Sequence, residues 1–325
     1  MKLENIQILD EHYNPELSNI DNVNILLKKG IWNYATRHAQ DLVSLYVRFH
    51  LADRESRKQI AKEKVLQELK IELPDSLIAT KEDYYLPSHL KNILVLSDIH
   101  LPYYDKEAVL TAIEFGINQN VDTIYLNGDI VDFNSVSRWQ TSPNERDLMN
   151  EVKISRLFFK YLRNVFPTQT IIWKLGNHEE RWESFLSSKA SEIFNLDVLY
   201  LGKLFQVDEL GIELVDGKTI AHFGNLTVVH GHELPRGIGS PVNPARGLYM
   251  KAKESALCGH HHQTSEHTEK SINGKIVSCW TTGCLSDLRP SYSTVNKYNH
   301  GFAHVQLDNE QFEVRNYKII NNKIY

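Results

Sequence analysis

Five apolar runs of this chain end in the same kinds of residue. Ile93-Leu94-Val95-Leu96 leads into Ser97-Asp98-Ile99-His100, and Thr123-Ile124-Tyr125-Leu126 into Asn127-Gly128-Asp129-Ile130-Val131-Asp132. Thr170-Ile171-Ile172-Trp173 is followed by Gly176-Asn177-His178-Glu179, Val228-Val229 by His230-Gly231-His232, and Ala256-Leu257-Cys258 by Gly259-His260-His261-His262. In an open α/β sheet, ligands bind beyond the carboxyl ends of the strands, so these are the positions where chemistry is expected. One Asp, Asn or His after a strand carries little information, because these residues start turns everywhere. Five successive ends would crowd carboxylates and imidazoles together, which is unfavourable unless a cation lies between them. Oxygen and imidazole donors suit Mn²⁺, Fe, Zn²⁺ or Ni²⁺ better than thiolate-loving metals, and we read a centre of two ions. Strand alternation would bring the first and third residues of Asp98-Ile99-His100 and of His260-His261-His262 to one side.

The surrounding pattern agrees with an α/β sheet. Between the first three runs, residues 106–118 and 147–165 read as helices, giving β-α-β-α-β with strands buried on both faces. After about Phe205, short strands dominate, over 211–215, 219–222, 226–230, 276–281, 302–307 and 311–317, which suggests two packed sheets. The stretch from Leu234 to Met250, rich in Gly and Pro, reads as a mobile loop between two of the marked strand ends, overhanging them.

Residues 1–88 read as a helical extension and linker, and residues 89–325 as the main domain. Leu42, Leu45, Tyr46 and Phe49 fall on one stripe of a predicted helix over 39–50. Asp53 is placed to cap a second helix over 54–70, which Pro74 stops. Arg54, Arg57, Lys58, Lys62 and Lys64 raise the question of a helix-turn-helix DNA reader, but Asp53, Glu55 and Glu63 interleave with them as on a solvated face. Docking, or a homo-oligomer formed through these helices, is at least as good a reading.

At 325 residues the chain is long enough to bury a core without disulfides or a structural metal, so an ion is expected to serve chemistry. Its net charge of −5 excludes a global basic field for nucleic acid, leaving only a local patch. The three cysteines, Cys258, Cys279 and Cys284, are an odd number without a C-x-x-C pair, and read as buried thiols of a reducing compartment. No apolar run approaches a membrane span, and the expectation is a cytoplasmic protein without membrane contact.

The ordered set D-x-H, G-D-x-x-D, G-N-H-E, H and G-H-x-H, from about Ile93 to His262, resembles the calcineurin-like metallophosphoesterases, of the compact phage and bacterial kind. That resemblance implies a four-layer αββα sandwich, two packed mixed sheets flanked by helices. It implies one ion held by Asp98, His100, Asp129 and His262, and another by Asp129, Asn177, His230 and His260, with Mn²⁺ first among the metals. Ions about 3.5–4 Å apart would polarise the phosphoryl oxygens and turn a bridging water into hydroxide. His178, not a ligand in the family, would act as general acid, and Asp132 would orient it. His232 and His261 compete for ligand places, and the family register favours His230 with His260 and His262. Glu179 reads as a supporting or helix-start acid.

The substrate is left to the rim. Phe133 stands where the phosphoprotein phosphatases of the family carry Arg, which weighs against that branch. Arg138-Trp139 and Arg181-Trp182 offer a cation beside an aromatic plate, and Arg236 and Arg246 offer cations on the 234–250 stretch. The expected activity is hydrolysis of a phosphodiester in DNA, RNA or a nucleotide. A phosphomonoesterase is the nearest alternative, and a non-catalytic metal-binding scaffold that docks nucleic acid is the rival from another class.

Overall fold

A computed structural model describes residues 1–51, 75–77, 81–138, 146–234, 242–291 and 293–325. The chain forms two compact units, Met1–Ala79 and Thr80–Tyr325. The predicted helix over 54–70 lies outside the described residues. No described helix is long and apolar enough to cross a membrane.

The first unit contains α1 (Leu3–His12), α2 (Asn19–Lys28) and α3 (Thr36–Leu45), with a π-helical turn over Tyr46–Leu51. Its core gathers Leu9, Val23, Leu26, Trp32, Ala39, Leu42, Val43 and Tyr46. The apolar stripe expected along this helix therefore splits. Ala39, Leu42, Val43 and Tyr46, at i, i+3, i+4 and i+7, face inward, whereas Leu45 and Phe49 are exposed. The wider π turn interrupts the helical spacing that would have carried Phe49 to the same side.

The second unit is built on two sheets. Its strands are β1 (Tyr84–Tyr85), β2 (Asn92–Leu96), β3 (Thr123–Asn127), β4 (Thr170–Lys174), β5 (Ile212–Val215), β6 (Ala221–Phe223) and β7 (Leu226–Val229). They continue as β8 (Ala256–Cys258), β9 (Ser265–Lys270), β10 (Ile276–Thr281), β11 (His300–Asp308), β12 (Gln311–Ile320) and β13 (Lys323–Ile324). One sheet has the order β13-β12-β11-β2-β3-β4-β5 and the other β1-β6-β7-β8-β10-β9. Strands β2 to β5 run parallel, as do β7 and β8, so the marked strand ends open toward a common edge. Residues 84–85, read from the sequence as linker, form an edge strand against β6.

Alternation assigns the layers. In β2, Ile93 and Val95 face the second sheet with Phe223, Val228, Leu257 and Trp280, while Leu94 and Leu96 face helices. Those helices are α4 (Lys106–Asn118) and α5 (Leu148–Val165), capped by Asp105 and Asp147, whose carboxylates accept from the amides of Ala108 and Asn150. After β4 comes α6 (Glu180–Lys189). On the far face of the second sheet, α7 (Pro244–Ala252) packs Ala245 and Leu248 against Val229, Ala256, Cys258 and Cys279. The result is a four-layer αββα arrangement.

Helix α7 corrects the loop expected over 234–250. Asn243 caps it through the Arg246 amide and Pro244 occupies its first position, a start signature that the Gly and Pro content of the stretch obscured. Residues 235–241 lie outside the described residues.

Candidate metal centre

The D-x-H segments do not converge by strand alternation. β2 ends at Leu96 and β8 at Cys258, and Asp98, His100, Asp129, His260 and His262 all have left-handed backbones, with φ between 53° and 65°. Non-glycine residues seldom adopt this conformation, at about 1–3 kcal/mol each, and it persists only where the surroundings enforce it. The left-handed turns swing side chains from different strands to one point, while Ile99 between Asp98 and His100 goes into the core. Two glycines make room. A Cβ on Gly128, itself at φ 83°, would lie 2.4 Å from His230 Nδ1, and one on Gly259 would lie 1.9 Å from Ser97 Oγ.

Among the described residues three groups of donors result, two of them built from expected ligands alone and the third from His100 with Asp132 and His178. In the first, Asp98, His100 and His262 bring their ligand atoms within 4.8 Å of one another, and in the second Asp129, His230 and His260 do the same. Asp129 also reaches the first group, its Oδ2 being 3.2 Å from His230 Nε2 and 4.0 Å from His100 Nε2. Asn177 turns a buried Oδ1 that has no hydrogen-bond partner. His232 stands outside all three groups, beside Glu180 and Glu233, and His261 is exposed.

The donors are arranged as for cations. Asp98 Oδ2 accepts from Ser97 Oγ at 2.6 Å and the His260 amide at 2.9 Å, while buried Oδ1 has no hydrogen bond and lies 3.2 Å from His262 Nε2. Asp129 Oδ1 accepts from the His178 amide at 2.8 Å, leaving Oδ2 toward the histidines. His230 places Nδ1 at 2.7 Å from the Asn127 carbonyl and His100 places Nδ1 at 2.8 Å from Asp132 Oδ1, so each has Nε2 to present to the cluster. His100 and His262 face each other Nε2 to Nε2 at 3.1 Å. One tied and one inward-turned oxygen per carboxylate, with imidazole lone pairs converging, fits divalent cations of the oxygen-and-nitrogen class.

Electrostatics point the same way. Burial opposes charge on His230, but the adjacent Asp129 carboxylate lifts its pKa to about 10. Burial also opposes ionisation of Asp98 and Asp129, yet His262 beside the first, and His178 and His230 beside the second, hold both below the usual carboxylate range. His260 is driven down to about 3 by burial and by the charge of His230.

Asp132 joins two imidazoles. Its Oδ1 lies 2.8 Å from His100 Nδ1 and 2.9 Å from His178 Nδ1. His178 Nε2 accepts from Arg181 Nη2 at 2.7 Å, and Arg181 Nη1 donates to the Asp132 carbonyl at 2.9 Å. His178 Nε2 is 3.7 Å from Asp129 Oδ2.

Four supporting residues escaped the sequence reading in whole or part. Glu179 stands at the start of α6, as read from the sequence, but its carboxylate makes no cap hydrogen bond to that helix and instead accepts from four amides, those of Asp129, Gly176, Ile130 and Val131, at 2.6–3.0 Å. It thereby clamps the second and third motifs together. Lys174, wholly buried at the end of β4, places Nζ 2.7 Å from Glu233 Oε1 and 2.7 Å from the Gly217 carbonyl. Glu233 in turn accepts from the His230 and Gly231 amides, fixing the turn that carries His230. Glu151 accepts from the amide and hydroxyl of Ser135, two residues before Ser137-Arg138.

A cleft of about 790 Å³ opens beside the second group, with Asn177 and His260 in its wall. Arg138 and Arg181 line it, but Arg246 does not: it sits exposed in the first turn of α7. Arg236 and Trp139 lie outside the described residues. Trp182 is not an aromatic plate at the rim, for it is buried, stacked on Phe133 at 5.7 Å, and its Nε1 donates to the Leu199 carbonyl.

Residues 91–271 match the family described as Calcineurin-like phosphoesterase. The chain is 24% identical over 234 residues to the Gene 54 protein of Mycobacterium phage L5, covering 68% of this chain and 90% of that one. Among solved structures, a phosphoesterase of E. coli, Yfce, is 13% identical, covering 72% of this chain and 96% of its own, with TM-score 0.35. A dimetal phosphatase from Danio rerio is 13% identical, covering 70% and 96%, with TM-score 0.33.

Proposed function

The chain belongs to the calcineurin-like phosphoesterases, and from that premise we propose that it is a dimetal-dependent phosphodiesterase acting on nucleic acid or a nucleotide. The observation that carries the reading is the division of labour on the two carboxylates, one oxygen of each tied to protein donors and the other turned to imidazole nitrogens. Asp98, His100, Asp129 and His262 would hold one ion, and Asp129, Asn177, His230 and His260 the other, with Asp129 shared. Mn²⁺ is the first candidate, ahead of Fe, Zn²⁺ and Ni²⁺. When bound, such ions would supply Lewis-acid polarisation of the phosphoryl oxygens and activation of water.

The chain's own groups do the rest. Arg181 lines the cleft and holds His178 Nε2, so it is placed to meet the incoming phosphate first. As its guanidinium turns to a phosphate oxygen, His178 Nε2 is released, takes up a proton from solvent, and as imidazolium passes that proton to the departing oxygen. Asp132, on Nδ1, keeps the ring oriented and stabilises the imidazolium. Glu179 and Glu233 hold the backbone turns on which these side chains stand.

The test is hydrolysis of bis-p-nitrophenyl phosphate beside p-nitrophenyl phosphate by metal-stripped protein reconstituted with each divalent metal. Asp129→Ala is expected to lose both bound metal and turnover. His178→Ala is expected to keep the metal and lose activity by at least about 10². Full activity in His178→Ala refutes its role. No turnover by protein shown to contain two ions supports the scaffold alternative, and preference for the monoester supports the phosphomonoesterase.

A further inference from the structure

The cleft beside the metal centre runs along one face of α6. Arg181, Ser184, Phe185, Ser188 and Lys189 all line it, at i, i+3, i+4, i+7 and i+8, while Trp182 and Leu186 on the other side are buried in the core. Helical rise separates Arg181 from Lys189 by about 12 Å, too far for one phosphate to meet both. Arg138, Arg146 and Lys251 line the same cleft from other parts of the chain. Among the described lining residues the only carboxylate is Glu180, and its Oε1 lies 3.3 Å from His232 Nε2.

Five cations in the cleft wall, two hydroxyls along α6 from Arg181 to Lys189, and the apolar surfaces of Phe185, Val136 and Leu234 match a chain of phosphates carrying flat apolar groups. A positively charged groove with aromatic surface is the usual means of holding single strands without reading their sequence. A volume of about 790 Å³ is of the size of a few nucleotides. We infer that α6 is a strand-binding face: single-stranded nucleic acid lies along it, its scissile phosphate at the metal centre and its flanking phosphates reaching as far as Lys189 and Lys251. The inference rests on the phosphodiesterase reading for where the strand is cut, but the binding it describes does not require turnover.

The experiment measures fluorescence anisotropy of labelled, hydrolysis-resistant phosphorothioate oligothymidylates of two to ten nucleotides with the metal-loaded full-length protein. Affinity is expected to rise with length until the face is filled, and to fall with salt. Lys189→Ala and Lys251→Ala should each weaken the longer oligonucleotides several-fold and reduce the slope of log K against log salt by about 0.7, the value for one lost single-strand phosphate contact. Lys323→Ala, on β13 and outside the cleft lining, should change neither. Equal affinity for two and ten nucleotides, an unchanged slope in both cleft variants, or competition by tripolyphosphate as strong as by the oligonucleotide would overturn the inference, the last favouring a small polyanion. Absence of bis-p-nitrophenyl phosphate hydrolysis alongside length-dependent binding refutes the reaction and sustains this face.

Discussion

Lys174→Met isolates a contact that supports the loop carrying His230. The ammonium is wholly buried, and its partners are Glu233 and the Gly217 carbonyl. Burial alone would raise the Glu233 pKa, but Lys174 beside it pulls the carboxyl down from its ordinary 4.5 to about 2. At about 1.4 kcal/mol per pH unit this amounts to about 3 kcal/mol of stability. A depressed carboxylate contributes fully above its unfolded pKa and loses the contribution as pH falls toward 2, so pH 7 is the place to measure it. Breaking one half of a buried ion pair costs about 3–5 kcal/mol by a separate route, because the remaining charge is left uncompensated. Equilibrium urea denaturation at pH 7 should therefore show a loss of about 3 kcal/mol, and Tm should drop by about 6–12 °C for a unit of this size. Metal affinity should fall with it, since Glu233 holds the His230 and Gly231 amides. Lys174→Met/Glu233→Gln should recover part of the stability by removing the stranded charge. A loss below about 1 kcal/mol with unchanged metal affinity would show that the pair neither stabilises the fold nor shapes the loop.

Two further substitutions probe the supporting acids. Glu179→Gln puts an amide NH₂ against backbone donors that now meet a carboxylate oxygen, and a stability loss of about 2–4 kcal/mol is expected by thermal or chemical denaturation, with weaker metal binding. Indifference to the change would remove Glu179 from its clamping role. Glu151 is raised to about 7, by burial against the Ser135 hydrogen bonds and with the charge of Asp132 adding to burial. A raised acid favours the fold while protonated and loses that advantage as pH climbs through about 7. Relative to Glu151→Gln, which keeps the oxygen facing Ser135, wild type should therefore lose about 2–3 kcal/mol between pH 5 and pH 8. Parallel stability curves for the two proteins would refute the assignment.

Much of this protein was legible from local pattern. Continuous apolar runs such as Ile93 to Leu96 and Ile171 to Trp173 announced strands buried on both faces, and the helix over 106–118 followed from its own local pattern. A parallel arrangement puts strand ends at one edge, so the Asp, Asn and His residues following the runs were bound to be neighbours. What neighbouring strand ends do with their side chains was not local. The left-handed turns at Asp98, His100, Asp129, His260 and His262 are unfavourable in isolation and exist because the assembled sheets enforce them. Polar residues whose partners lie far along the chain carried no readable signal: neither Lys174, just past the third apolar run, nor Glu233, just before the 234–250 stretch, stands in a motif, and their pairing is visible only in the fold. Arg246 and Trp182 had the right chemistry for the rim, but packing sent one to the exposed turn of α7 and the other into the core. Chemistry and approximate place come from residue type and spacing, because these act over a few residues. Tautomer, backbone support and access to the cleft come only from tertiary contacts, because each depends on which distant atom occupies the adjoining space.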